Sequence, residues 1–184
     1  MTLHADARHV LSTWPAPDEE QERLRLLYLE HLARHRDAMR RSCHPDHLTS
    51  SALVVDESRV LLVRHAKAGL WLQTGGHCEP GDATLADAAL REATEESGIS
   101  GLRIDPVPLR LSRHVVPACG PVRPSHHLDV QFRVVAPSGS TPVRQPGEDP
   151  VGWFAPDQLP EPTDEDVRAL VSAAMPLPGG IPRP

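Results

Sequence analysis

Residues 75–98, GGHCEPGDATLADAALREATEESG, run a glycine-rich turn straight into one helix whose two ends are both written in the sequence. Thr84 followed by Asp87 is a capping pair, and Gly98 is a C-terminal stop. Ala86, Ala89, Leu90, Ala93 and Ser97 fall on one stripe, the expected core face. Glu92, Glu95 and Glu96 stand at helical offsets that place all three carboxylates on one side. Like charges so spaced cost roughly 0.2–0.5 kcal/mol each in an isolated helix. Glu96 also sits in the last turn, where the helix dipole disfavours an anion by roughly 0.3–1 kcal/mol. Arg91, four residues before Glu95, is the nearby relief. A solvated helix face is the ordinary reading of such glutamates. The glycine loop and Arg91 favour a metal site instead. Hard carboxylate oxygens suit Mg²⁺ or Mn²⁺, which keep coordination places for water and substrate phosphates.

The rest of the chain frames that unit. Its 184 residues suffice for one domain with a core and an added segment. A net charge of -6, with Lys67 the sole lysine, gives no electrostatic reason to expect a nucleic-acid polymer. No long apolar run predicts a membrane span, and the N-terminus lacks a signal-peptide pattern. Three scattered cysteines, Cys43, Cys78 and Cys119, suit a reducing cytoplasm better than a disulfide framework. Asp18 and Gln21 open a helix predicted over 18–41, with Leu24, Leu27, Tyr28 and Leu32 as its stripe; it reads as a packing or homodimer element. Apolar runs at 48–55 and 60–63 read as paired strands, and the alternation of Leu128, Val130, Phe132 and Val134 marks a later strand. A last helix starts at 163–166 and buries Val167, Leu170, Val171 and Ala174. The expected division is 1–47 as an N-terminal helical extension, 48–175 as the main domain and 176–184 as a disordered tail.

Residues 75–99 resemble the signature of the Nudix hydrolases: a glycine, five residues, a glutamate, seven residues, then RE-U-x-EE-x-G-U, with U aliphatic. Arg91, Glu92, Ala93, Glu95, Glu96, Gly98 and Ile99 match the second half residue for residue. The first half departs twice. Asp82 stands for the glutamate, and eight residues rather than seven separate it from Arg91. The extra residue is placed at the loop-to-helix junction, near Ala83. The resemblance implies an α/β fold, an α/β/α sandwich around a mixed sheet. It also implies Mg²⁺- or Mn²⁺-dependent hydrolysis of a small nucleoside diphosphate derivative, with Gly75, Glu92, Glu95 and Glu96 as metal ligands. By the same resemblance Glu92, Glu95 or the downstream Glu148 takes the proton of the attacking water, and Arg91 orients a glutamate. Relatives acting on dinucleoside polyphosphates show a tyrosine where this chain has 114–117, and those acting on ADP-ribose show proline there. Pro117 matches the latter, so the substrate leans to an ADP-ribose or nucleotide-sugar type. A diphosphate isomerase on the same fold, with Cys78 near its glycine loop, and a non-catalytic nucleotide sensor are the alternatives.

Other polar residues are candidate substrate contacts: His77 and Glu79 on the loop, His127 and Asp129 on the alternating strand. For His77 and Cys78 loop packing is the favoured reading over substrate contact. His127 and Asp129 share a face that looks either into the phosphate pocket or into water. Cys43, His44, His47, His77 and Cys78 show no spacing that supports a zinc site.

Overall fold

The computed structural model describes residues 1–116, 121–143 and 149–175. Glu148, Pro117, Cys119 and the tail from 176 lie outside the described residues. The chain runs α1 (Leu3–Thr13), α2 (Glu19–Arg34), β1 (Asp46–Val55), β2 (Val60–His65), β3 (Leu70–Leu72), β4 (Thr74–His77), α3 (Leu85–Ser97), β5 (Arg103–Ile104), β6 (Arg110–Val116), β7 (Ser125–Val135), β8 (Val151–Phe154) and α4 (Glu165–Ala174). Among the described residues no helix is long and apolar enough to cross a membrane.

One mixed sheet lies between helices, the α/β architecture that the sequence predicts. β1 and β7 are its parallel centre, paired from Asp46 with His126 to Val55 with Val135. β4 and then β2 run antiparallel along the other edge of β1, while β6 and β5 flank β7. Leu48, Ala52 and Val54 of β1 and Leu128, Val130, Phe132 and Val134 of β7 point to a core shared with α1, α2 and α3. Leu53, Val55, Val60 and Leu62 point the other way, onto Val167, Leu170, Val171 and Ala174 of α4. Both faces of the central strands are therefore covered, which parallel pairing requires.

Two helical features differ from expectation, one boundary and one whole helix. α2 ends at Arg34, and residues 35–45 leave the helix so that the Ala38 carbonyl can accept from the Leu48 amide at 2.8 Å. α1 has no counterpart in the predicted elements. It is capped by Thr2, and its buried Asp6 carboxylate accepts from the Leu85 amide, 2.8 Å away, at the first residue of α3. An unsatisfied N–H of the first turn thus finds its partner in α1, 79 positions earlier. Asp6→Ala is expected to cost about 1–3 kcal/mol, because the Leu85 amide stays buried without its acceptor. Urea denaturation checks this; a variant within about 0.5 kcal/mol of the parent would mean that the contact holds nothing.

Candidate active site

α3 forms where the sequence predicts it, with Thr84 accepting from the Asp87 amide and Gly98 in the left-handed conformation at φ 65°. Its buried face is Leu85, Ala88, Ala89, Ala93 and Ser97, while Ala86 and Leu90 are only half-buried. The expected stripe is turned slightly, since Glu92 and Glu96 continue the Leu85–Ala89 row and lean over β4.

Two consecutive glycines receive them. A Cβ on Gly76 would lie 2.6 Å from a Glu92 carboxylate oxygen, so only glycine leaves room for that carboxylate over the strand. The Gly75 amide donates to Glu96 at 3.1 Å. A Cβ on Gly75 would meet the Ser51 Cβ at 2.3 Å and its Cα at 2.7 Å, so this position opposite Ser51 admits only glycine. Glu95 keeps 60% of its side chain exposed, on the outer side of the helix. The carboxylates thus divide: Glu92 and Glu96 against the strand, Glu95 at the rim.

Arg91 ties the loop to the helix. Its guanidinium pairs with both Asp82 oxygens at 3.1 and 3.2 Å, with Glu92 at 3.0 Å and with Glu95 at 3.3 Å, and donates to the His77 carbonyl at 3.1 Å. Asp82 also accepts from the Glu79 amide at 2.7 Å. Asp82, the departure from the resembled signature, therefore closes the glycine loop and holds Arg91 by a forked pair. Ala83 stands exposed before the Thr84 cap, outside the helix. The Glu79 side chain is exposed.

The electrostatics are unbalanced at Glu96. Burial pushes its carboxyl up to about 7, and the Glu92, Asp149 and Glu95 charges push the same way; only the Gly75 amide opposes. Glu92 is likewise raised by burial, with Arg91 pulling against it. Half-buried carboxylates facing one another without a full complement of positive charge fit a hard divalent cation. Asp149, overlooked in favour of its neighbour Glu148, lies near enough to Glu96 for its charge to be felt. Its signal was a second acid in the stretch EDP.

On the opposite face of the same strands lies a polar patch. Asp129 is buried and accepts from Thr49 at 2.9 Å, Ser51 at 2.5 Å and Gln131 at 3.3 Å. The Asp129 side chain looks neither into water nor straight at Glu92: it is buried among Thr49, Ser51 and Gln131, and Asp166 of α4 holds Ser112, its register partner on β6. His47, His77 and His127 cluster beside it, with ring centroids 4.9–5.1 Å apart. Burial holds His77 down to about 4 and His127 down to about 3. Between those values and the ordinary 6.5, the unfolded chain binds protons that the folded chain does not. Stability from these two groups is complete above about pH 6.5 and is lost as pH falls toward about 4. Chelated protein carrying Glu96→Gln, where that carboxylate no longer titrates, should show a denaturation midpoint that drops across this window. A flat midpoint would show that the two imidazoles titrate normally.

The NUDIX domain model matches residues 45–174. The chain belongs to the Nudix hydrolase family. A Nudix-family hydrolase from Clostridium perfringens shares the fold at a TM-score of 0.58 and 23% identity, covering 70% of this chain and 95% of that one. A MutT Nudix hydrolase from Burkholderia pseudomallei superposes at 0.54 with 26% identity, covering 71% and 98%. A UDP-X diphosphatase superposes at 0.50 with 20% identity, and there the likeness covers 93% of this chain and 87% of that one. In this Nudix hydrolase Glu92 and Glu96 of the signature lie against β4, and Arg91 ties the loop to Glu92.

Proposed function

We propose that the protein hydrolyses the diphosphate linkage of a small nucleoside diphosphate derivative, at a site built from Gly75, Arg91, Glu92, Glu95 and Glu96. The observation that carries this reading is Glu96: a half-buried carboxyl pushed up to about 7, beside a second raised carboxyl, on two glycines that leave only backbone beneath them. Glu92, Glu95 and Glu96, with the Gly75 carbonyl, would hold Mg²⁺ or Mn²⁺, which would supply charge neutralisation at the phosphates and a more acidic bound water. Arg91 fixes the Glu92 rotamer and ties the loop through Asp82. The rim carboxylate Glu95, or Glu148 beyond β7, accepts the proton of the attacking water. Asp129 acts from behind, holding Thr49 and Ser51 of β1, on which β4 rests.

An ADP-ribose or nucleotide-sugar type of substrate is the finer reading, and Pro117 is what supports it. Residues 1–47 serve as an extension that braces α3 through Asp6, except that β1 already begins at Asp46. Cys43 and Cys78 are free thiols, in keeping with a reducing compartment such as the cytoplasm. The isomerase reading fares worse than hydrolysis. Burial and the neighbouring acids push the Cys78 thiol up to about 12, so it stays protonated and is poorly suited to nucleophilic or base chemistry. Turnover in ¹⁸O-labelled water decides the class: label is expected in one phosphorylated product. Recovery of only a rearranged, unlabelled diphosphate would overturn the reading.

A further inference from the structure

We propose that His47, His77 and His127 form a second metal site, a three-imidazole site for a divalent transition ion of the Zn²⁺ type, distinct from the carboxylate site. The three residues come from β1, β4 and β7, and each offers a ring nitrogen within 4.8 Å of the others. Register puts them on one face of the sheet: His47 opposite His127, and Thr49, two along from His47, opposite His77. Gly76 and His77 are consecutive in an extended strand, so their side-chain directions are opposed. Glu92 lies over Gly76. The imidazoles and the Glu92 carboxylate therefore occupy opposite faces of β4.

The donor set is prepared for a metal. His47 Nδ1 lies 3.2 Å from the Cys43 carbonyl, an arrangement that places the proton there and turns the Nε2 lone pair inward. That Nε2 is 3.1 Å from His77 Nε2. His127 Nε2 is buried and has no hydrogen-bond partner. A lone buried nitrogen costs about 1–3 kcal/mol, and a metal ion would take it up. All three rings are held neutral by burial, the form that ligates. Tetrahedral coordination at about 2.0–2.1 Å puts ligand nitrogens about 3.4 Å apart; the His47–His77 pair, at 3.1 Å, is already at that spacing, and the His127 nitrogen, within 4.8 Å of both, needs to close by little more than an ångström. Imidazole nitrogen selects zinc-like ions over the hard ions that suit the glutamates.

Three neutral ligands leave the charge of the ion uncompensated, so its fourth place goes to an anion: hydroxide or a substrate oxyanion. His114, exposed and with its ring 5.4 Å from that of His127, is the next imidazole outward.

The test is a Co²⁺ titration of chelator-stripped protein in excess Mg²⁺, which keeps the carboxylates occupied by the harder ion. One equivalent of Co²⁺ should give the intense visible bands of a tetrahedral nitrogen site, and Zn²⁺ should abolish them. His127→Gln should weaken Co²⁺ affinity by at least about 100-fold, and His77→Gln, at a less buried position, should do the same if the first variant folds poorly by circular dichroism. Glu96→Gln should leave the bands intact. Only weak octahedral bands, or bands that survive both histidine variants or vanish in Glu96→Gln, would overturn the site. None of those results bears on diphosphate hydrolysis, which the ¹⁸O experiment judges alone.

Discussion

Glu96→Gln is expected to lower turnover by about 1,000-fold or more while making the metal-free protein more stable. The loss follows from removing a charged metal contact worth several kcal/mol in the transition state. The gain follows from the sign of the Glu96 shift. A carboxyl raised from 4.5 to about 7 is more readily protonated in the folded chain than in the unfolded one. Its contribution is complete below about pH 4.5 and is lost as pH rises through about 7, a penalty of about 3 kcal/mol. Glutamine keeps an acceptor for the Gly75 amide and has no charge to bury. Denaturation of chelated parent and variant should therefore diverge in favour of the variant between about pH 4.5 and about pH 7. Saturating Mg²⁺ should reverse the order, because only the parent gains binding energy. Turnover within about threefold of the parent would sink the metal reading; unchanged relative stability across that window would show that Glu96 is not strained by burial.

The second large effect comes from helix phase. One alanine inserted between Ala93 and Thr94 rotates Glu95 and Glu96 by about 100° relative to Glu92. Glu96 then leaves Gly75, and activity should fall to background even where circular dichroism still reports the helix. Deleting Ala83 is the control. Ala83 is exposed and precedes the Thr84 cap, so its removal shortens a turn and leaves Glu92, Glu95 and Glu96 in phase. The expected cost is a poorer cap of about 1 kcal/mol and turnover within about tenfold of the parent. An active insertion variant, or a deletion as inactive as the insertion, would mean that the additional residue sits inside the helix.

What the sequence determined by itself is what short-range physics governs. Thr84 and Gly98 delimit α3 because capping involves residues three or four apart, and Asp164 likewise starts α4 with its stripe of Val167, Leu170, Val171 and Ala174. The signature glutamates were legible for the same reason: helical period puts Glu92 and Glu96 on one row. Only the tertiary structure decided the rest. The sequence carries little sign of α1, whose buried residues are only Asp6, Ala7 and Leu11, and whose purpose depends on an amide 79 positions away. Asp82 reads as a substitution until the fold lays both its oxygens against Arg91. The histidines are the extreme case. His47 and His77 stand 30 residues apart, with His127 on a third strand, so no spacing announces them. They meet because β1 pairs with β4 on one edge and β7 on the other, and register, which depends on the whole sheet, sets all three on one face.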